Sequence, residues 1–486
     1  MSLINQKIFY LFIFSLGLFL RFNYINDGIW PDEWISFYIA TSDLNFFDKY
    51  QLHIAYEGSP PINLIINNLF YLIVGYKYQN IELLYLIVNL FAIIYFLKFT
   101  NSINEKFLVF FLLILNPFLI YYSGELRLYS VSLLFSVLSV IYFLKVNEKS
   151  SFSNKTYFIL FSTISFLINF YTISLLPSYI IFNFFKKKNN TIYICILIII
   201  LLIFLLNLHY LMNIFNLYST IGATVGNINL NFFIGYFFNI FFGNIYFGSI
   251  LLLTIFSSIF YFRTQLIQND RIFISFLIII ITYLIPITLF FLFEKNITFP
   301  RHLIFIIPFI VYIVSVFILS LKNHIIKKIF IIFIFMMVLF SNFFYKKSFM
   351  EKKPNPETVV QIINNSNVNK LLIHGNPMYS YITSKKSLVS SRKVYCIPES
   401  CGYEYLAPLY TKSFRNDQIN ILINNDYKNQ SEFWSICIHA PSYKGEKFDE
   451  EKIKNCYGKL NFLEKTHFQA EEYIRDEFKL TLYKIR

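Results

Sequence analysis

Two adjacent carboxylates, Asp32 and Glu33, lie between Trp30 and Trp34 in the stretch GIWPDEWISFY, soon after the first apolar segment. A carboxylate held beside a hydroxyl can act as a general base, and its neighbour can orient it or bind the substrate. The alternative is structural, because Pro31 followed by two acids is also a favourable first turn of a helix. The pair is therefore a candidate catalytic site, with helix capping as the alternative.

Positive side chains border apolar segments in two other loops. Arg127 follows Glu125 in YYSGELRLYS, and Arg301 and His302 end the stretch EKNITFPRH. Guanidinium groups bind phosphate through paired hydrogen bonds, so these loops are candidates to hold an anionic head group. Glu57, just before a Pro-Pro pair, is a candidate contact for an acceptor or a metal. The structural alternatives are snorkelling of Arg127 and, for Arg301 and His302, neutralisation of Glu294 or binding of lipid head groups.

Long apolar segments must position these residues. The chain has 486 residues, is 56% hydrophobic and 14% charged, and repeatedly runs through stretches long enough to cross a bilayer. It is predicted to be a polytopic α-helical membrane protein with about 11 transmembrane helices. The spans are predicted near 8–22, 81–97, 106–122, 127–145, 157–170, 172–185, 191–209, 245–262, 272–293, 303–321 and 329–345. The almost absent gap at 171 leaves open one broken span there.

Basic loops predict the orientation. The stretches KKKNN (186–190), RTQLIQNDR (263–271) and KNHIIKK (322–328) should face the cytoplasm by the positive-inside rule. The net charge of +14 suits such loops. No basic run interleaves with aromatic residues, so nucleic-acid binding is not indicated.

Residues 1–345 are predicted to form the membrane domain, with residues 23–80 as a long external loop that carries the Asp-Glu pair. Within this loop, PPINLIINNLFYLIVG (60–75) is predicted to be a helix lying in the membrane interface, because it is short and opens with two prolines. Lys49 and His53 are interpreted as residues of a solvated part of the loop.

The tail, residues 346–486, is predicted to be a small soluble α/β domain outside the cytoplasm. Strands are predicted at KLLIHG, INILIN, FWSICIHA and FKLTLYKI, and a helix at PETVVQIINN. Four cysteines fall in this tail and permit two disulfides, of which 396–401 and 437–456 are preferred. A zinc site is the alternative.

The order of these motifs resembles the GT-C superfamily of membrane glycosyltransferases, in particular the branch with protein O-mannosyltransferases and the bacterial aminoarabinose transferase. RFNYINDGIWPDEW (21–34) is similar to the Asp-Glu pair of the family's first external loop, and EGSPPINLIINNLF (57–70) to its His-Pro-Pro-Leu interfacial helix. NPFLIYYSGELRLYS (116–130) is similar to a Pro…Arg-x-Tyr segment, and FPRHLIFIIPF (299–309) to a late Arg-Tyr/His-Leu segment. Ser59 replaces the usual histidine, which leaves any role of that histidine in doubt.

The resemblance implies an inverting glycosyltransferase that uses a polyprenyl-phosphate-linked sugar and an acceptor hydroxyl of a protein, lipid or glycan. Asp32 is then the base and Glu33 its support. The residues implied to bind the donor or acceptor are Glu57, Glu125, Arg127, Arg301 and His302.

We expect such a protein in the bacterial inner membrane, among membrane lipids, with the catalytic loop and the tail facing the periplasm. No cofactor or metal site is assigned, and a divalent metal ion remains an open alternative because carboxylates cluster. The alternative functions are a lipid-linked sugar flippase or transporter, and a ligase or polymerase of surface polysaccharides.

Overall fold

The computed structural model of the chain divides into two compact units, one mainly helical and one that contains a β-sheet. Unit 1 comprises residues 1–25, 58–66 and 72–350, and unit 2 comprises residues 26–57, 67–71 and 351–486. The structure describes residues 3–23, 25, 33, 36, 37, 39, 40, 44–56, 60–75, 78–187, 190–221, 240–243, 245–263, 267–293 and 300–348, and the backbone of six strands within 370–485.

Helices make up most of the described residues. The α-helices are α1 (Leu3–Phe22), α2 (Phe46–Tyr56), α3 (Ile62–Val74), α4 (Tyr78–Phe96), α5 (Ile103–Ile114), α6 (Pro117–Tyr121), α7 (Tyr129–Glu148), α8 (Phe152–Ile168), α9 (Leu175–Lys186), α10 (Thr191–Ile221), α11 (Ile240–Phe242), α12 (Ile245–Phe262), α13 (Asp270–Phe293), α14 (Ile307–Ser320) and α15 (His324–Ser348). Three 3₁₀ segments accompany them: Leu97–Phe99, Phe170–Ser174 and Pro300–Ile306.

The chain is a polytopic α-helical membrane protein, and every apolar segment predicted as a span is formed by one helix or by two consecutive helical segments. Within the described residues, five segments are long and apolar enough to cross a bilayer: Tyr78–Phe99, Tyr129–Glu148, Asp270–Thr288, Pro300–Ser320 and His324–Asn342. Three other predicted spans contain shorter apolar stretches within the fully described residues, Ile8–Phe22, Thr191–Leu206 and Tyr246–Phe262, and the count of about 11 stays a prediction.

Helices α8 and α9 run antiparallel, side by side against α7. Ser139 of α7 hydrogen-bonds both Ser162 of α8 (2.6 Å) and Tyr179 of α9 (2.7 Å). One turn further along α7, Phe143 packs against a phenylalanine four residues earlier in α8 and another three residues later in α9. The two helices therefore advance in opposite directions, and this region contains two helices rather than one broken span.

The helices of unit 1 share a basic end. Lys186, the last residue of α9, forms an ion pair with Asp270, the first residue of α13. Next to this pair, the guanidinium of Arg271 donates to the side chain of Asn101. Helix α7 has 20 residues and so spans about 30 Å between this end, where it finishes, and the opposite end, where it begins. Two of the three predicted cytoplasmic loops, 186–190 and 263–271, thus meet at one end.

The buried segment before and within α14 forms the centre of unit 1. Phe309 and Tyr312 of α14 pack edge-on against Phe96 and Phe99, with ring centroids 4.9–5.7 Å apart. Such aromatic contacts each contribute about 0.5–1.5 kcal/mol beyond the burial of their area. They fix α14 against α4, and thereby fix the position of the 3₁₀ segment Pro300–Ile306 that leads into α14.

Helix α3 confirms that the residues after the Pro-Pro pair are helical. It has 13 residues, about 20 Å, which is shorter than the roughly 30 Å hydrocarbon core of a bilayer. Asn63 and Asn67 are buried, whereas Ile65, Leu69 and Leu72 on another face are exposed. A helix with an exposed apolar face is suited to contact lipid, and its position in the interface stays a prediction.

The described strands of unit 2 form one mixed sheet in the order β3-β2-β1-β4-β6-β5. The strands are β1 (Lys370–Ile373), β2 (Lys393–Cys396), β3 (Asn420–Ile421), β4 (Phe433–Ile438), β5 (Ala470–Arg475) and β6 (Leu480–Ile485). Strands β3, β2, β1 and β4 pair in parallel, and β6 is antiparallel to both β4 and β5. The four predicted strands are confirmed as β1, β3, β4 and β6. The predicted helix, residues 356–365, lies outside the described residues.

The sheet limits how the tail cysteines can pair. Cys396 is level with Ile373 of β1, which is level with Ile436 of β4, so one strand separates Cys396 from Cys437. Two strand spacings are about 9.5 Å, whereas the Cα atoms of a disulfide lie within about 7 Å. A 396–437 disulfide is therefore excluded. Pairing with residues 401 and 456, and the alternative zinc site, depend on side chains outside the described part and stay predictions.

Candidate functional site

The loop between α6 and α7 carries Glu125 and Arg127, as predicted. Pro117 starts α6, and the side chain of Asn116 caps it by accepting from the N–H of Leu119 (2.9 Å). The chain then turns through Ser123 to Arg127 before α7 begins. Glu125 is buried and Arg127 is half-buried. The loop therefore holds a carboxylate in the protein while leaving part of the arginine accessible.

Arg301 and His302 lie on the 3₁₀ segment Pro300–Ile306. Both side chains are half-buried, whereas the four residues that follow them are fully buried. This segment has seven residues, which is long for a 3₁₀ helix because its hydrogen bonds have poorer geometry than those of an α-helix. Contacts with neighbouring elements must therefore help to maintain it.

The structure brings these two basic loops together. The imidazole of His302 lies edge-on to the ring of Tyr129, the first residue of α7, at a centroid distance of 6.1 Å. Its ring also stacks on Tyr171 at 5.1 Å with an interplanar angle of 20°. Arg301 is the chain neighbour of His302, and Arg127 lies two residues before Tyr129. Two arginines that are far apart in sequence thus occur on adjoining segments.

Asn169 connects the same segments through its side-chain amide. Its Nδ2 donates to the carbonyl oxygen of His302 (2.7 Å) and to Oγ of Ser132 on α7 (3.1 Å). Its Oδ1 accepts from the backbone N–H of Tyr171 (3.1 Å), at the start of the 3₁₀ segment after α8. Asn169 is 7% exposed, so these bonds form in a place that is largely closed to water.

A buried arginine connects the helices around this loop. Arg21, in the last turn of α1, is fully buried and donates to the carbonyl oxygens of Ile114 (2.5 Å) and Gly17 (3.1 Å). It also donates to Oδ1 of Asn89 (3.4 Å), whose Nδ2 lies 3.5 Å from Oγ of Ser130 on α7. Carbonyl groups at the C-terminal end of a helix carry partial negative charge, which suits a cation. Helix α1 is thereby tied to α4, α5 and the start of α7.

Glu82 of α4 is a further buried carboxylate, only 1% exposed. It lies seven residues before Asn89 and so on the same face of the helix. A methyl group added to Gly124, in the α6–α7 loop, would lie 3.9 Å from its Cβ atom. Ionisable residues at membrane depth generally mark functional regions. Glu82 belongs to the region around Arg127.

The described residues of the first long loop between 33 and 56, together with residues 67–71, lie in unit 2. Glu33 is helical and buried. Lys49 donates from Nζ to the carbonyl oxygen of Ala40 (3.0 Å) and to Oδ1 of Asn68 on α3 (3.4 Å). His53 is 1% exposed. The interpretation of His53 as a residue of a solvated loop is therefore wrong, because its side chain is buried, whereas Lys49 is half-buried.

The predicted site residues thus fall into two sets. Arg127 and Arg301–His302 occur on adjoining segments of unit 1, and Glu125 is buried in the same loop as Arg127. Asp32 and Glu57 lie outside the described residues, as do Trp30 and Trp34.

Asn169 and Tyr171 contact the Arg301–His302 segment, and the buried ionisable residues Arg21 and Glu82 lie on neighbouring helices. The sequence did not single out these four residues as parts of the site. Two of these residues could have been found from the sequence. Arg21 and Glu82 are ionisable residues within predicted spans, where charge is expensive. Asn169 and Tyr171 gave no such signal, because a polar residue between two helices usually indicates only a turn.

Among the residues that the structure describes, no group of three or more His, Cys, Asp and Glu side chains could hold a metal ion. Glu57, the candidate metal contact, lies outside the described residues.

No protein-family model matches the sequence, and no curated protein matches it. Solved structures do match. ArnT from Cupriavidus metallidurans bound to undecaprenyl phosphate has a TM-score of 0.58 at 9% identity, with 99% of this chain and 98% of that chain covered. The apo state of the same protein has a TM-score of 0.58 at 8% identity, with 98% of each chain covered. The apo oligosaccharyltransferase of Archaeoglobus fulgidus has a TM-score of 0.50 at 9% identity, covering 89% of this chain and 70% of that one.

The chain has the GT-C fold. ArnT, an aminoarabinose transferase, and the archaeal oligosaccharyltransferase are both GT-C membrane glycosyltransferases. The alignment with ArnT includes the tail, although the sequence resemblance there concerned placement alone. Identities of 8–9% show the fold alone.

Proposed function

We propose that the chain is an integral membrane glycosyltransferase that moves a sugar from a polyprenyl-phosphate carrier to an acceptor hydroxyl. The observation that carries the proposal is the contact between the Arg127 and Arg301–His302 segments, in a GT-C fold that matches ArnT over 98% of the ArnT chain. ArnT has been crystallised with undecaprenyl phosphate, which is a carrier of this class.

Two half-buried arginines suit a lipid-linked phosphate. A guanidinium keeps its charge under all physiological conditions and offers paired donors that match phosphate oxygens. Partial burial strengthens this interaction relative to water, because the effective dielectric constant is lower there. In the proposed reaction the bond between the anomeric carbon and the phosphate oxygen breaks, and the polyprenyl phosphate leaves with the electron pair. Arg127 and Arg301 stabilise the charge of that leaving group.

Asp32 is the proposed base. Its carboxylate takes the proton of the acceptor hydroxyl while the acceptor oxygen bonds to the anomeric carbon from the face opposite the phosphate, which inverts the configuration. One carboxylate suffices as the base of an inverting transfer, and a phosphate leaving group needs no separate acid. The burial of Glu33 supports this role, because the neighbour of Asp32 is anchored in the protein rather than in solvent.

The distribution of charge supports an extracytoplasmic site. Lys186, Asp270 and Arg271 join two basic loops at one end of unit 1, and α7, α8, α9 and α13 all have one terminus there. The Arg127 segment lies at the other terminus of α7, next to the Arg301–His302 segment. Because basic loops remain in the cytoplasm, the proposed site faces away from it. In a bacterial inner membrane, that side is the periplasm.

Sugar transfer by Asp32→Asn tests the base. Membranes containing equal amounts of each variant are supplied with a panel of radiolabelled undecaprenyl-phosphate monosaccharides, and incorporation into acceptor material is measured. Loss of a general base should lower the rate by about 10²–10⁴-fold. Asp43→Asn, the same change in the same loop, is the control and should transfer at the native rate. Native transfer by Asp32→Asn would reject Asp32 as the base.

The phosphate site is tested by the donor KM of Arg127→Ala and Arg301→Ala. Each variant loses a charged hydrogen-bonding group, so the donor KM should rise by about 10- to 100-fold. Arg271→Ala, at the basic end, removes an arginine about 30 Å away and should leave the donor KM unchanged. If both site variants keep the native donor KM, the arginines do not bind the donor. The proposed enzyme class would still stand.

A further inference from the structure

We propose that Asn169 is a positioning residue of the donor site: its amide holds the Arg301–His302 segment against the start of α7 and against Tyr171. The inference rests on the proposed function, because it concerns the part of the site assigned to the lipid phosphate. No sequence motif indicated it.

The amide of Asn169 uses both of its donors and its acceptor. The donors bind the carbonyl oxygen of His302 and Oγ of Ser132, and the acceptor binds the N–H of Tyr171. These partners belong to three different segments of the chain. A single side chain thus sets the relative positions of three backbones, in surroundings where an unpaired polar group would be costly.

The segment that Asn169 holds needs external support. A seven-residue 3₁₀ helix is longer than its own hydrogen bonds usually maintain. The bond from Asn169 to His302 is 2.7 Å long and comes from a residue 133 positions away, so tertiary contact supplies that support. Without it, the segment can adjust toward α-helical geometry and rotate its side chains.

Rotation of this segment would redirect Arg301. With three residues per turn, neighbouring side chains on a 3₁₀ helix point about 120° apart, so the direction of Arg301 follows from that of His302. The imidazole is held by the stack on Tyr171 and the edge contact with Tyr129. Asn169 fixes the backbone of His302 and the backbone of Tyr171 at once, and so fixes this stack.

Binding of undecaprenyl phosphate to the purified full-length chain tests the inference, with undecaprenol as the probe that lacks the phosphate. Asn169→Ala should raise the Kd for undecaprenyl phosphate by about tenfold and leave the Kd for undecaprenol unchanged. Ser132→Ala removes one of the three partners and should produce a smaller rise, about twofold to threefold. It keeps the test informative if Asn169→Ala does not fold.

Asn342 is the matched control. Its Nδ2 also donates to a carbonyl oxygen, that of Leu115, over 2.7 Å, but on α15 and outside the donor site. Asn342→Ala should lower the melting temperature without changing either Kd. If Asn342→Ala raises the Kd for undecaprenyl phosphate as much as Asn169→Ala does, the effect is a general structural one and the inference is overturned.

A double variant distinguishes failure of the inference from failure of the proposed function. Because Asn169 acts through Arg301, the double variant Asn169→Ala/Arg301→Ala should bind no more weakly than Arg301→Ala alone. If Arg301→Ala weakens binding and Asn169→Ala does not, the inference fails and the proposed function stands. If the native chain does not prefer undecaprenyl phosphate to undecaprenol, the proposed donor class fails and the inference fails with it.

Discussion

Replacing Gly17 by alanine should destabilise the protein, although alanine is the better helix former. Gly17 lies within α1, where this helix crosses the end of α5. A Cβ atom at position 17 would lie 2.7 Å from Cγ1 of Ile114 and 3.0 Å from its carbonyl oxygen. That oxygen also accepts from Arg21 at 2.5 Å. The substitution therefore tests both the close helix contact and the buried arginine.

One stabilising and two destabilising terms determine the expected size of the effect. Alanine in place of glycine within a helix contributes about 1 kcal/mol of stability. Carbon atoms pack best at about 3.5–4.0 Å, so the new methyl group is about 1 Å too close to Ile114, and overpacking of this kind costs about 1–3 kcal/mol. Moving the carbonyl oxygen away would also weaken its bond to Arg21, and a bond to a charged group contributes about 1.5–3 kcal/mol. The net loss should be about 2 kcal/mol.

The loss is measured by unfolding the purified protein in detergent, either by heating it or by titrating it with SDS. Gly124→Ala is the control, because a methyl group there would lie 3.7 Å from Ile25 and 3.9 Å from Glu82, which is ordinary contact distance. Its stability should stay within about 0.5 kcal/mol of the native protein. If Gly17→Ala is as stable as Gly124→Ala or more stable than the native protein, the close approach of α1 to α5 is wrong.

The remaining predictions concern the α7 interface and the tail. Ser139→Ala should lower stability by about 1 kcal/mol, because it removes the hydroxyl that bonds both Ser162 and Tyr179; an unchanged melting temperature would contradict the side-by-side placement of α8 and α9. Mass-spectrometric mapping of the unreduced protein should find no peptide that links Cys396 to Cys437, since one strand separates them; a 396–437 link would refute the strand order.

The sequence was sufficient to predict most of the described helices and four of the six described strands. Hydropathy is a local property, and an apolar run of about 20 residues has few structural choices in a membrane. The predicted spans are therefore helical, and the short alternating runs of the tail are strands. The strands β2 and β5 were missed: Lys393–Cys396 is short, and Ala470–Arg475 is too polar to show the apolar alternation of a strand.

Part of the candidate site was also predictable from sequence. Arg127, Arg301 and His302 were visible because charge next to an apolar segment is expensive and therefore informative. What the sequence could not show was that the Arg127 and Arg301–His302 segments adjoin, because the chain between them passes through several helices. Their contact depends on how these helices pack.

Asn169 shows the difference between what the sequence predicts and what the tertiary structure decides. In the sequence it is a polar residue between two apolar runs, and such a residue indicates a turn. In the structure it bonds to His302, which lies 133 residues away, and to Ser132, which lies 37 residues before it. Hydrogen bonds between distant residues form only after the helices have packed, and no local pattern encodes them. The sequence alone thus determined the elements and their charged loops, and the tertiary structure decided which of those loops form one site.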